Sequence, residues 1–266
     1  MQLIRFIDSG GKERRGQRID SRSARLIDGD ILGDFRVTDE SAVISKLLSP
    51  VVPRDLLCIG LNYRKHAEET GAKVPEYPVL FIKASSSLQN PGDPILLPPT
   101  ESEVDYECEL AVVIGKTARR VPPERALSHV LGYTCANDVS GRSWQIKKGG
   151  GQWCRGKSFE TFCPLGPHIV TRDEIPDPNN LKIRTILNGE TVQDWTTSDM
   201  IFNVPHLISF LSEGMTLHPG TVILTGTPQG VGVARKPPLF LKAGDEVTIE
   251  IEKIGRLENP VRADAS

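Results

Sequence analysis

The chain has 266 residues, 38% hydrophobic and 25% charged, proportions of a water-soluble globular protein with room for one large domain or a small one joined to a medium one. A formal charge of -2 leaves no electrostatic footprint for nucleic acid or an anionic membrane, and no apolar run is long enough to cross a bilayer. The 5 cysteines (Cys58, Cys108, Cys135, Cys154 and Cys163) form no CxxC pair, which argues against a zinc site or disulfide frame and for free thiols in a reducing cytosol.

Met1 to Phe6 lacks the basic start and long apolar core of a signal peptide and reads as a first strand. Leu3 to Asp8 and Ser23 to Asp28 are expected as short strands, with turns at Ser9-Gly10-Gly11 and Asp28-Gly29-Asp30. Glu40 to Leu48 is expected as one short helix. Residues 1–52 then form a small N-terminal domain, and 53–266 the main domain, linked through Pro50 to Pro53. Leu56 to Gly60 is an apolar run ended by glycine, a buried strand. Lys65 to Glu69 follows with good helix formers and a stop at Gly71. This helix is polar on nearly all sides, so Tyr63 to Pro75 is expected to lack order of its own and to act as a lid. His66 and Glu69 lie three apart on one helix face. A carboxylate beside an imidazole orients it and raises its basicity, as a general base requires; a surface ion pair is the competing reading.

Val104 to Gly115 organises the chain. Its end is continuously apolar and reads as a buried strand. Glu107 and Glu109 stand at its mouth, two apart, and therefore on one face. Two carboxylates converging there repel unless something positive lies between them. A hard divalent cation with oxygen ligands, Mg²⁺ or Mn²⁺, suits that position; a solvated pair is the alternative. Asp138, at the end of the next apolar segment, offers a third oxygen ligand. The basic, glycine-rich stretch from Ser140 to Gly151 carries Arg142 and Gln145 and reads as a functional loop. Beyond it, Leu181 to Leu187 alternates as a half-buried strand before an Asn188-Gly189 hairpin turn. Phe202 to Gly214 is an amphipathic helix. Gly220 to Gly232 is a strand running into a glycine loop whose N–H groups can cradle a carboxylate. Val247 to Glu252 is expected as an edge-facing strand.

Five pieces in order resemble the fumarylacetoacetate hydrolase family: Ile59-Gly60-Leu61-Asn62-Tyr63 with His66 and Glu69; Asp105-Tyr106-Glu107-Cys108-Glu109-Leu110; Asn137-Asp138-Val139-Ser140-Gly141-Arg142; Lys157-Ser158-Phe159; and Thr225-Gly226-Thr227-Pro228 with Gly230-Val231-Gly232. The tail Arg235 to Leu241 looks like the branch that includes mitochondrial oxaloacetate tautomerases and their bacterial relatives. The resemblance implies an α+β fold with a layered, mostly antiparallel β-sheet core, assembled as a homodimer. It implies that Glu107, Glu109 and Asp138 hold one Mg²⁺ or Mn²⁺ and that His66 and Glu69 form the catalytic dyad. Lys157, Gln145 and Arg142 would line the substrate, a small 2-oxo carboxylate, and the loop with Gly226 and Thr227 would bind its carboxylate. Relatives commonly carry an acidic residue where Ser143 stands, so Arg142 is expected to lack a near partner. Glu160 stands where Asp is frequent.

A metal that polarises a 2-oxo group stabilises an enolate. The expected reaction is hydrolytic C–C cleavage of a 2,4-dioxo, acylpyruvate-type acid, with His66 activating water and Lys157 and Gln145 serving developing oxyanions. Keto–enol tautomerisation or decarboxylation of oxaloacetate uses the same enolate and is the alternative. A non-catalytic metal-stabilised binding protein is the competitor from another class, and the complete set of His66, Glu69, Lys157 and three carboxylates argues against it.

Overall fold

A computed structural model of the chain describes residues 1–264. The first four strands, β1 (Gln2–Asp8), β2 (Glu13–Arg18), β3 (Ser23–Gly29) and β4 (Phe35–Leu48), form an antiparallel meander. Glu40 to Leu48 is thus strand rather than the expected helix, because Ile44 to Leu48 pair with β1 and Ser41 to Val43, with the earlier part of β4, pair with β3. Such pairing overrides local propensity. The meander joins the main body through antiparallel pairing of β1, Leu3 opposite Ile169.

Next come β5 (Leu56–Gly60), helix α1 (Arg64–Thr70), β6 (Val79–Ile82) and the short strands β7 (Leu88–Gln89), β8 (Ile95–Leu97) and β9 (Val104–Asp105). The core strands are β10 (Cys108–Ile114) and β11 (Val130–Asn137), joined through α2 (Pro123–Ala126). They are followed by β12 (Ser140–Gly141), α3 (Cys154–Lys157), β13 (Cys163–Thr171), the hairpin β14 (Lys182–Leu187) and β15 (Glu190–Thr196), α4 (Val204–Gly214), β16 (Val222–Leu224), β17 (Glu246–Ile251) and β18 (Gly255–Ala263). Asn188 and Gly189 both take positive φ, 52° and 84°, as a two-residue hairpin turn requires.

An 11-stranded sheet runs β2-β3-β4-β1-β13-β11-β10-β16-β5-β6, with β7 paired to β13, and a 5-stranded sheet runs β15-β14-β17-β18-β8. Strand β17 sits inside the second sheet rather than at its edge, between β14 and β18; its alternation reports one covered face and cannot tell edge from centre. The layers follow from residue parity on β10, where every residue is buried. Leu110, Val112 and Ile114 enter the core shared with Ile183, Ile249, Leu257 and helix α4, whereas Ala111 and Val113 enter a second core with Leu3, Cys58 and Leu224. Glu109 shares the parity of Ala111, so its carboxylate leaves on that second face.

Candidate active site

A cavity of about 330 Å³ opens where β5, β6, β10 and the 140–157 segment converge. His66, Glu107, Glu109, Arg142, Gln145, Lys157 and Thr227 all line it. Asp138 stands directly behind, with both its oxygens taken by ammonium groups: Lys83 Nζ at 2.6 Å on Oδ1 and Lys157 Nζ at 2.8 Å on Oδ2. Lys157 Nζ also donates to Glu107 Oε2 at 2.9 Å and lies 5.1 Å from the centre of the Phe81 ring. Oxygens of Glu107, Glu109 and Asp138 lie within 4.8 Å of one another and all three residues are buried.

These charges set the electrostatics. Burial alone would raise the Glu107 carboxyl, but Lys157 and Arg142 outweigh it and hold its pKa down to about 2. Glu109 forms no ion pair with a cation. Burial, Asp138 and Glu107 push its pKa well above the usual carboxylate range, outweighing the nearby Lys157 charge and the Gly226 N–H that donates to Oε2 at 2.6 Å. Burial opposes the Lys157 charge, yet Asp138 and Glu107 overcome it and raise the Lys157 pKa. A buried, all-oxygen donor set in which one carboxylate, Glu109, is paired directly with no cation and stays strongly disfavoured as an anion fits a hard divalent ion. Glu107, Glu109 and Asp138 are therefore a candidate divalent-metal site.

Helix α1 is ordered in this structure, contrary to the expectation for a polar segment. Tertiary bonds replace the stability it lacks alone: Arg64 Nη1 donates to Met200 O at 3.0 Å and the Lys65 N–H to Asp199 at 3.0 Å. Gly71, with φ of 65°, ends it in the left-handed conformation. Its buried His66 places Nδ1 2.8 Å from Glu69 Oε1, and Glu69 Oε2 accepts the Gly230 N–H at 2.8 Å. With Nδ1 donating to the carboxylate, Nε2 is the ring nitrogen left with a lone pair.

Arg142 does not lack partners. Its Nε donates to Asp105 Oδ2 at 2.9 Å and its Nη1 to Gln145 Oε1 at 2.8 Å, with Glu107 Oε1 at 2.7 Å. Its Nη2 lies 2.8 Å from Asp105 Oδ2 as an ion pair without an aligned hydrogen bond. Asp105 in turn accepts the N–H groups of Gly232 and Val233. Ser143 donates instead to buried Glu101, at 2.6 Å. The expected 140–151 loop is folded, with a π-helical turn over Ser143–Lys148, a form often found at functional sites. The Gly226 N–H is occupied by Glu109, and Gly226 does not line the cavity, so it anchors a carboxylate of the triad instead of standing ready for substrate. Thr227 does line it, its Oγ1 accepting from Gln193 Nε2 at 2.9 Å.

Lys83, Asp105, Glu101 and Gln193 are structural partners that motif reading left without roles. Lys83 carried a usable signal, a charge at the exit of a buried strand. Asp105 lay inside a quoted motif. Nothing local marks Gln193, whose Oε1 accepts the Cys108 N–H at 3.0 Å from a neighbouring hairpin.

Comparison with known proteins agrees with this arrangement. The family described as "Fumarylacetoacetate (FAA) hydrolase C-terminal" matches residues 55–262. The chain is 53% identical over 216 residues to "Oxaloacetate tautomerase fahd2, mitochondrial" of Xenopus laevis, covering 81% of this chain and 68% of that protein. Among solved structures, "5-carboxymethyl-2-hydroxymuconate delta-isomerase" from Mycobacterium smegmatis superposes with a TM-score of 0.87 at 38% identity, covering 99% of this chain and all of that one. The fumarylacetoacetate hydrolase of Exiguobacterium antarcticum does so with a TM-score of 0.88 at 38% identity, over 99% of this chain and all of that one. The mitochondrial name of the Xenopus relative overturns the cytosolic expectation: free thiols fit any reducing compartment and do not single out the cytosol. With residues 55–262 matched, the fold superposing on solved relatives and the acidic triad and His66 gathered around one cavity, the chain belongs to the fumarylacetoacetate hydrolase family and is an enzyme of that family.

Proposed function

We propose that this enzyme interconverts the keto and enol forms of a small 2-oxo dicarboxylic acid of the oxaloacetate type. The observation that carries the reading is a base held at one side of a cavity whose other side presents a buried ammonium and an acidic triad. His66 is fixed by Glu69, and Lys157 stands between Glu107 and Asp138. A divalent cation held by Glu107, Glu109 and Asp138 would polarise the 2-oxo group and compensate the acids. His66 Nε2 takes a proton from C3 of the keto form and returns it in the reverse direction. Lys157, charged because its two carboxylates hold it so, gives a proton to the 2-oxo oxygen as the C3 proton leaves, and exchange with water then carries the proton from His66 back to Lys157, so that the enzyme is unchanged. No atom is gained or lost by the substrate. Arg142 and Gln145 orient the far carboxylate, and their mutual hydrogen bond presents them as one unit. The tautomerase named among the relatives and the isomerase among the structural neighbours support this reading over hydrolysis.

C–C hydrolysis stays as a second reading because a structural neighbour is a fumarylacetoacetate hydrolase. There His66 would activate water instead of removing a C3 proton. The two separate on ranking His66→Ala against Lys157→Ala by kcat/KM, on enol-oxaloacetate and on an acylpyruvate at saturating Mn²⁺. Tautomerisation predicts that both variants lose activity on oxaloacetate while the acylpyruvate is a poor substrate for the unaltered enzyme. Faster turnover of the acylpyruvate, abolished by His66→Ala, would reverse the choice. We also propose a homodimer, with mass photometry as its check.

A further inference from the structure

The charged groups occupy only part of the cavity. Its larger apolar lining side chains are Ile59, Leu61, Phe81, Ile146, Trp153 and Val233. The Trp153 indole is fixed there from two sides. It meets Phe81 edge-on at 5.6 Å, and it packs so closely on Gly60 that a Cβ at residue 60 would lie 2.1 Å from the ring. Glycine at 60 therefore makes room for a preformed apolar wall. Ile146, on the π-helical turn beside Gln145, lines the same cavity yet remains 61% exposed. It is an apolar side chain held at the mouth without a protein partner to bury it.

Charge placement excludes one class of guest from this half. The lysine and arginine side chains lining the cavity are Lys157 and Arg142, and both are bonded to Glu107. A carboxylate laid along the apolar wall would meet no further lysine or arginine among the lining side chains and would lose water. A volume of about 330 Å³ is at the lower end of the range for drug-sized ligands, about 300–1,000 Å³, and is more than a four-carbon acid needs.

From this division we infer that the enzyme accepts 2-oxo acids whose distal end is an uncharged apolar group, aliphatic or aryl, seated between Trp153 and Ile146, and that Ile146 is a specificity-determining residue. The inference rests on the proposed reaction site, with the 2-oxo carboxylate end directed to the acidic triad.

The test is calorimetric binding of 2-oxobutanoate and 2-oxo-4-phenylbutanoate to the Mn²⁺-loaded enzyme. The phenyl acid should bind at least tenfold tighter. Ile146→Asn, at an exposed position that folding does not depend on, should cut that ratio below threefold, and Ile146→Phe should keep it at tenfold or more. Equal affinities in the unaltered enzyme, failure of both acids to bind, or a ratio untouched by Ile146→Asn would each overturn the inference. Oxaloacetate ketonisation measured on the same samples separates the two claims. Turnover with a ratio near one sinks only the apolar subsite, and a tenfold ratio without turnover sinks only the proposed reaction.

Discussion

Replacing Lys83 with Met keeps most of the side-chain volume and removes the charge behind the acidic triad. Lys83 and Asp138 side chains are both fully buried, 2.6 Å apart. At an effective dielectric of about 20, two unit charges at that distance attract by about 6 kcal/mol before desolvation is counted. Removing one partner of such a pair costs about 3–5 kcal/mol, because the other charge is left buried. Here Asp138 keeps Lys157 at 2.8 Å, so the lower end, about 3 kcal/mol, is expected. Urea unfolding of metal-free Lys83→Met against the unaltered protein measures it. Adding Asp138→Asn should recover part of the loss, since the stranded carboxylate is gone, and saturating Mn²⁺ should narrow the difference for the same reason. A loss below about 1 kcal/mol, typical of an exposed pair, would show that Lys83 does not hold Asp138.

Glu109→Gln should weaken Mn²⁺ binding by at least about 100-fold, judged against the tenfold to 100-fold typical of losing a mere outer partner; titration calorimetry decides, and unchanged affinity would remove Glu109 from the triad. Because the Glu109 pKa is raised by burial, Asp138 and Glu107, metal-free protein should lose stability as pH rises from the unfolded carboxylate value toward the folded one. Metal binding there should release a proton, visible as a dependence of the binding heat on buffer ionisation enthalpy. His168 shows the opposite sense. Burial, then Arg18, depress its pKa from 6.5 to about 4, so the unfolded chain takes up a proton first as pH falls. Stability should drop by about 3 kcal/mol between those values, and chemical denaturation of His168→Gln across pH 4–7 should lack that drop. His66→Ala should lower turnover by about 10²–10⁴-fold, the usual worth of a positioned base.

What could be read from the sequence was local. Strand periodicity points Glu107 and Glu109 the same way, and both line the cavity although Glu107 stands just before β10; Gly71 ends α1 because helix stops are written nearby. Long-range partners were hidden. The neighbouring Ser143 offers Arg142 no acid, and the acid that holds it, Asp105, lies 37 residues away. Lys83 meets Asp138 across 55 residues and Gln193 meets Cys108 across 85. Glu40 to Leu48 is strand for the same cause: its pairing partners lie on β3 and β1, well back along the chain. Gly226 was assigned to substrate because a glycine loop resembles an anion cradle, but the anion it holds is the protein's own Glu109.

Tautomerisation at this cavity, as proposed, leaves the carbon chain unbroken. Enol-oxaloacetate presented to the Mn²⁺-loaded enzyme measures this directly, with decay of enol absorbance followed beside pyruvate release. Ketonisation should run well above the buffer rate and be lost on chelation of the metal and in His66→Ala, with oxaloacetate recovered intact. Pyruvate appearing in step with enol loss, or no acceleration over buffer, would contradict it.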